Sequence, residues 1–163
     1  MKIFLTLIVT LLSGCIFPEL MQQNYITVEK DNFKDETFIC SKIINEYRTT
    51  VFYKICHYKK AGGGVEDFIQ GAVEYASPVA LRYNEAIDIN KKKLKIKSED
   101  DRRLGITINQ FAIRLPEGYM YKNDSIEIKI YGVSHSAVLK ISTPIIEALR
   151  DKIKDLEMGQ VKK

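Results

Sequence analysis

The feature that most limits how this chain can fold is the alternation of apolar and polar residues in its second half. In the segment 125–131 an isoleucine occupies every second position and a charged residue stands between successive isoleucines. Successive side chains of a β-strand point to opposite faces of the sheet, so this period of two predicts a strand with one buried face. The same pattern recurs at 25–29, 79–83, 87–90 and 137–141. We therefore expect an antiparallel sheet of about seven strands, which can close into a sandwich.

Two further alternating segments carry expectations of their own. The segment 104–115 is the longest strand candidate, and its apolar residues change parity halfway, so we expect a β-bulge near Asn109. The run 91–97 is rich in lysine and also alternates. It is either a basic patch that touches anionic lipid headgroups or a solvated edge strand whose lysines prevent pairing with another sheet. The edge strand is the favoured interpretation.

Two segments have a helical period instead. Apolar residues recur at intervals of three and four over about 65–76, acidic residues stand near the start, and Pro78 follows, which predicts an amphipathic helix. A Thr-Pro pair and a terminal Gly159 bound a second apolar stripe, which predicts a helix over about 144–158. Stripes of this kind more often pack on a core than bind a partner. The expected fold class is α+β, with two amphipathic helices beside the sheet.

The N-terminus has the pattern of a secretory signal. Lys2 is followed by a mostly apolar run at 3–12, and then by Ser13 and Gly14 directly before Cys15. A helix needs about 20 apolar residues to cross a bilayer, so this run is too short to remain as a membrane span. We expect residues 1–14 to be removed as a signal peptide.

The sequence Leu12-Ser13-Gly14-Cys15 resembles the lipobox of bacterial lipoproteins. The resemblance implies cleavage between Gly14 and Cys15 and attachment of lipid, with acyl chains such as palmitate, at Cys15. Each buried methylene contributes about 0.8 kcal/mol, so two or more chains make a stable anchor in the lipid bilayer. Ile16 rather than aspartate follows the cysteine, which in this class implies the outer membrane, facing the periplasm, if the source has two membranes. The alternatives are an ordinary cleaved signal that ends near a cysteine and a chance apolar N-terminus.

The resemblance also divides the chain. Residues 15–24 would form the lipidated end and a short tether, residues 25–159 a single globular domain, and residues 160–163 a frayed tail. The formal net charge of +4 is too small to favour nucleic acid as a partner. The expected partners are the lipid bilayer, through Cys15, and a protein of the cell envelope.

Once Cys15 carries lipid, Cys40 and Cys56 remain as an even pair in an oxidising compartment, which favours a disulfide. A hairpin that turns at Arg48 would place Cys40 opposite Cys56, Phe38 opposite Tyr58, Ile44 opposite Phe52 and, as a defect, Lys42 opposite Lys54. A helix across 40–47 would pair the cysteines differently. Two buried thiols are the alternative, as is a metal pair beside His57, although two soft ligands do not complete a metal site.

The chain offers few groups for catalysis. Ser134 lies in a sequence close to a nucleophile elbow, but Ser136 replaces the final glycine and a strand is expected after it. Glu85 and Asp88 stand in a strand candidate, where acids usually face solvent rather than act as a carboxylate pair for glycan cleavage. The sequence has no zinc-helix motif, no dinucleotide fingerprint and no phosphate loop. We expect no catalytic residue, no metal site and no cofactor.

The expected function is that of a membrane-anchored, non-enzymatic lipoprotein with a protein-binding surface, as an accessory subunit of a secretion, conjugation or surface-assembly system. An envelope inhibitor, or an immunity- or exclusion-type protein, is the second hypothesis. A cell-wall or lipid hydrolase is the third. It requires a cleft in which His57 or His135 approaches Ser134, Glu85 or Asp88.

Overall fold

The computed structural model of the chain describes residues 26–31, 34–45, 50–75, 82–103, 106–133 and 135–160. Within them, ten β-strands form one antiparallel sheet and two α-helices accompany it. The expected α+β class therefore fits, but the sheet has more strands than the expected seven.

The strands are β1 (Ile26–Asp31), β2 (Glu36–Ser41), β3 (Ile44–Asn45), β4 (Val51–Lys59), β5 (Val65–Tyr75), β6 (Tyr83–Asp88), β7 (Lys93–Arg103), β8 (Ile106–Arg114), β9 (Ile126–Gly132) and β10 (Ser136–Ile141). The helices are α1 (Tyr119–Lys122) and α2 (Thr143–Gln160). The order across the sheet is β1-β2-β4-β5-β8-β7-β6-β9-β10, and the short β3 lies beside β4. Strand β7 joins the two halves, because its start pairs with β6 and the rest of its length pairs with β8.

The sheet curls into a half-barrel around the core instead of dividing into the two layers of a sandwich. Tyr53 on β4 shows how far it curls. Its hydroxyl donates to the backbone carbonyl of Lys140 on β10 and accepts from the backbone N–H of the same residue, each at 2.8 Å. Strands β4 and β10, which are far apart in the strand order, are therefore joined by the Tyr53 hydroxyl.

The helix expected over 65–76 is wrong, because this segment forms β5, an 11-residue strand paired with β4 on one side and β8 on the other. Residues four apart share a face in a helix and also in a strand, so Val65, Ile69 and Val73 fit both periods. Gly71 lies on their face of the strand. The Phe111 ring of β8 covers Gly71 so closely that a Cβ atom there would collide with it.

The interpretation of the run 91–97 as an edge strand is also wrong. This segment contributes the start of β7, which is flanked by β6 and β8. Leu94 and Ile96 face the core, so the lysines at 93, 95 and 97 face outward. The lysines therefore lie on an open sheet face rather than along an edge.

Strand β8 pairs with both neighbours in one continuous register, so the bulge expected near Asn109 is absent from the described pairing. The change of apolar parity has another cause. Thr107 and Asn109 occupy inward positions and are buried. The Asn109 amide donates to Asp100 Oδ1 at 2.7 Å, so a hydrogen bond replaces apolar contact at this inward position.

The expected C-terminal helix is confirmed, since α2 spans Thr143–Gln160. It packs against β1 and β2, and its buried side chains are Ile146, Leu149 and Ile153. Arg150 connects it to α1. Its Nε donates to the carbonyl of Met120 and its Nη2 to the carbonyl of Asn123, both at 2.8 Å.

Cys40 on β2 and Cys56 on β4 form the expected disulfide, with their Cα atoms 4.1 Å apart. The two cysteines are direct cross-strand neighbours. Phe38 and Tyr58 are also opposed, as expected, and their rings stack with centroids 4.3 Å apart. The cysteine spacing therefore predicted both the bond and the local register.

The register shifts by one residue beyond the disulfide. Ile44 pairs with Tyr53 rather than with Phe52, because residues 42–43 lie outside both β2 and β3. The expected pairing of Ile44 with Phe52 is wrong, and the opposed lysines at 42 and 54 are avoided. The hydroxyl of Ser41 stabilises the irregular segment by accepting a backbone N–H of β4 at 3.1 Å.

Several expectations fall outside the described residues and stay predictions. They are the signal peptide over 1–14 with its cleavage site between Gly14 and Cys15, lipidation at Cys15, and the tether over 15–24. Of the strand expected at 79–83, the structure describes only the end, where β6 begins at Tyr83. Of the tail over 160–163, it describes only the last position of α2.

Replacement of both disulfide cysteines by alanine should lower the free energy of unfolding by about 3 kcal/mol, because the bond restricts the unfolded chain over a sequence separation of 16 residues. The measurement is chemical denaturation of the oxidised wild type and the Cys40→Ala/Cys56→Ala variant. Each single variant should lose most of the same amount, since either removes the bond. Equal denaturation midpoints for wild type and double variant would contradict the prediction.

Candidate functional site

An open groove of about 500 Å³ lies on the outer face of the sheet, across β4, β5, β8 and β7. We call it the outer-face groove. Its floor consists of Gln70, Ala72, Gln110 and Ala112, and its rim of Ile43, Phe52, Lys54, Lys97 and Glu99. Two of the rim residues are large exposed apolar side chains, with 70% of Ile43 and 41% of Phe52 accessible to solvent.

The groove is a direct product of strand register. Lys54, Gln70, Ala112 and Lys97 are successive neighbours across the four strands, and Phe52, Ala72, Gln110 and Glu99 form the next such row. Each row has one alanine in the middle, Ala112 in the first row and Ala72 in the second, and a glutamine occupies the other middle position. Because the methyl groups of alanine barely rise above the backbone, a depression remains between the two ends.

The rim of the groove carries two lysines. Lys54 and Lys97 stand at opposite ends of one row, and Lys95 lies on the same outer face of β7. Within the described part of the chain, none of these three lysines takes part in an ion pair. Glu99 adds a carboxylate to the rim. The three lysines are therefore available to an anionic ligand.

Next to the groove, the positive charges of Lys95 and Arg114 lie on neighbouring strands. Lys95 is directly opposite Arg114, and like charges in this position destabilise a sheet. Glu66 offsets part of the repulsion, since its Oε1 lies 2.7 Å from Lys60 Nζ and 2.9 Å from Arg114 Nη2. The hydrogen bond from Lys60 holds the pKa of the Glu66 carboxyl below its usual value. Lys95 receives no such partner among the described residues.

A second cavity, of about 80 Å³, lies near α2 and is lined in part by His57. His57 Nδ1 is 2.8 Å from Asp67 Oδ1, and the two residues are direct cross-strand neighbours with both side chains buried. A carboxylate that orients an imidazole is one component of many catalytic sites. The cavity, however, has room for only about two or three water molecules.

Glu85 and Asp88, the candidate carboxylate pair for glycan cleavage, do not face each other. Glu85 and Asp88 lie on opposite faces of β6. Asp88 is buried, where it accepts the hydroxyl of Tyr119 at 3.0 Å and the backbone N–H of Lys92 at 2.8 Å. Glu85 points outward and lies 2.7 Å from Lys93 Nζ. Both carboxylates therefore have structural contacts.

The second histidine lies elsewhere. His135 follows β9 and packs edge-on against Tyr83, with ring centroids 4.6 Å apart. Its ring rests on Gly132, where a Cβ atom would collide with it, and burial lowers the pKa of His135. Ser134 lies outside the described residues. His57 and His135 thus have different surroundings, Asp67 for one and Tyr83 for the other.

Sequence patterns did not single out the groove residues. A weak signal was present, because Ala72 and Ala112 occupy outward positions in strands, where longer polar side chains are usual. Only the order β4-β5-β8-β7 makes these alanines neighbours of Lys54 and Lys97. The pairing of His57 with Asp67 was missed because the segment of Asp67 was expected to be a helix.

Comparisons of this chain with protein-family models, with curated proteins and with solved structures find no match. In the part of the chain that the structure describes, no group of three or more His, Cys, Asp or Glu side chains is placed to hold a metal ion. No helix in that part has the length and apolar composition of a membrane span. Interpretation of the site therefore depends on its geometry and on the sequence.

The buried contact between Tyr119 and Asp88 should make stability fall at alkaline pH. Burial and the hydrogen bond to Asp88 raise the pKa of Tyr119 from 10.0 to about 12. The unfolded chain therefore releases this proton first, and the contribution of the contact is complete below pH 10 and lost as pH rises to about 12.

The Tyr119→Phe variant should lack this alkaline loss and should be less stable at neutral pH by about 1 kcal/mol, because Asp88 loses a donor. Denaturation at several pH values measures the first effect, and an ultraviolet titration of phenolate shows which tyrosine ionises late. A late-ionising step of unchanged size in the variant would show that Tyr119 is not that tyrosine.

Proposed function

We propose that this protein is a lipid-anchored protein of the bacterial envelope, without enzymatic activity, that binds a partner protein in the outer-face groove. In this role it would serve as an accessory subunit of a secretion, conjugation or surface-assembly system. Support for the anchor comes from the resemblance of Leu12-Ser13-Gly14-Cys15 to a lipobox. The disulfide between Cys40 and Cys56 supports an oxidising compartment, since such bonds are rare in the cytosol.

The observation that carries the binding role is the groove itself. Exposed Phe52 and Ile43 stand beside a floor of alanine and glutamine, in a concavity on an otherwise ordinary polar sheet face. Apolar surface that is exposed and surrounded by polar residues is typical of interaction sites. Burial of the 41% of Phe52 that is accessible would stabilise a complex by about 1 kcal/mol, before the cost of ordering is subtracted.

Support for a non-enzymatic role comes from the groups that a hydrolase would need. His57 contacts Asp67, Asp88 contacts Tyr119, and Glu85 contacts Lys93. None of these side chains lines the outer-face groove. The groove offers amides, lysines and one glutamate, which suit recognition of a ligand by hydrogen bonds and charge.

Lipidation is tested by mass spectrometry of the full chain produced in a bacterium. The mature protein should begin at Cys15 and carry the mass of a diacylglyceryl group, with or without a further acyl chain. It should partition with membranes, whereas the Cys15→Ala variant should not be lipidated. The Cys40→Ala/Cys56→Ala variant is the matched control and should keep the lipid. An intact Met1, or an unmodified thiol at Cys15, would remove the anchor from the proposal.

Partner binding is tested with a photo-crosslinking phenylalanine analogue in place of Phe52, in the lipidated protein within intact envelopes. We expect a covalent adduct with an envelope protein, and we expect Ala112→Leu to abolish it by filling the groove floor. The same analogue in place of Tyr121, which is 56% exposed on α1, is the control and should give no such adduct. Equal adducts at both positions, or none at position 52, would contradict groove binding.

A further inference from the structure

We propose that the outer-face groove binds an extended segment of the partner in which two acidic side chains flank one apolar side chain, in the pattern acid-x-apolar-x-acid. This inference rests on the proposed function, because it specifies the chemistry of the same partner. It follows from the positions of Lys54 and Lys97, from the glutamine and the alanine between them and from the charge of the rim.

The spacing of the two lysines defines the length of the segment. Lys54 and Lys97 are separated by three strand intervals of about 4.8 Å, so their Cα atoms lie about 14 Å apart. An extended chain advances about 3.3 Å per residue, so residues four apart are separated by about 13 Å. A segment that crosses the strands thus places residues i and i+4 at the two lysines.

The middle residue of such a segment contacts a defined part of the groove floor. In an extended chain the side chains of i, i+2 and i+4 point to the same side. When i and i+4 face Lys54 and Lys97, i+2 faces the floor between Gln70 and Ala112, and Phe52 stands at the β4 end of the neighbouring row. The alanine leaves room for a side chain and the phenyl ring offers apolar contact. Gln70 and Gln110 offer amide donors and acceptors for the backbone of the segment.

The charge of the rim selects acidic rather than basic side chains. Among the described residues Lys54, Lys95 and Lys97 have no ion-pair partner, and Glu99 adds one carboxylate to the rim that Lys54 and Lys97 share. A carboxylate at each end of the segment would form a charge-assisted hydrogen bond with a lysine there. The same lysines repel a basic segment, so charge contributes to specificity as well as to affinity.

The concave shape favours a protein segment over an anionic membrane surface. A lipid surface can approach the rim, but its headgroups do not form an apolar side chain that reaches Ala72 and Ala112 on the floor. Glutamine amides on the floor match a peptide backbone, which carries both donors and acceptors.

The binding experiment uses the non-lipidated chain 16–163, which contains every described element, and NMR titration with capped peptides at low salt. The probe is Glu-Ser-Leu-Ser-Glu, and the comparison peptides are Lys-Ser-Leu-Ser-Lys and Glu-Ser-Gly-Ser-Glu. The probe should shift the backbone amides of Ala72 and Ala112, and both comparison peptides should bind at least about tenfold more weakly. Added salt should weaken binding of the probe. Equal binding of the acidic and basic peptides would overturn the proposal.

Charge reversal provides the second measurement. Lys54→Glu and Lys97→Glu should each weaken binding of the acidic probe by about tenfold and improve binding of the basic peptide. Lys152→Glu is the matched control, because it makes the same charge change on the exposed face of α2 and should leave both affinities unchanged. Unchanged affinity of the probe for Lys97→Glu would overturn the proposal.

Two outcomes distinguish binding of an acidic segment from binding of another protein ligand and from binding of a lipid surface. If the adduct at position 52 forms equally well in wild type and Lys97→Glu, the groove binds a protein but the acidic segment is wrong. The second outcome concerns lipid and is tested with vesicles of equal parts phosphatidylglycerol and phosphatidylethanolamine. If the non-lipidated chain sediments with these vesicles, if Lys97→Glu prevents this sedimentation, and if no peptide binds, then the groove contacts lipid and the proposal is overturned. Binding of the acidic probe with no effect of these vesicles supports the proposal.

Discussion

The pairing register of β4, β5, β8 and β7 is the constraint on which the rest of the structure depends. It aligns Ile55, Ile69, Ile113 and Ile96 as one row across the inner face of the four strands. The neighbouring row, from Lys54 to Lys97, faces outward and forms part of the groove. A slip of one residue in any pair would exchange the two faces and bring lysine into the core. The core and the candidate binding site are therefore fixed by the same hydrogen-bond ladder.

Burial accounts for the strength of this register. The side chains of Ile55, Ile69 and Ile113 have no accessible surface. Burial of each contributes about 1.5–3 kcal/mol to the free energy of unfolding. The outward residues of the four strands are less buried and contribute less to the free energy of unfolding. Small residues at Ala72 and Ala112 leave a depression on this face, whereas the inner face is filled.

Much of the architecture could be predicted from local patterns, and the failures have physical causes. Strand alternation, the C-terminal helix and the disulfide register between Cys40 and Cys56 were confirmed, because each depends on residues close in sequence. The helix expected over 65–76 failed because a spacing of four residues satisfies both periods. The position of the β7 lysines on an open sheet face and the groove itself could not be predicted, since they depend on which strands are neighbours.

The hydroxyl of Tyr53 has a consequence for how copies of the protein behave when they are crowded together. It occupies both the N–H and the carbonyl of Lys140 in β10, the last strand of the sheet. A backbone already engaged in this way offers no template at that position for a strand from a second molecule. The Tyr53 hydroxyl therefore lowers the tendency of two molecules to join their sheets edge to edge at this position.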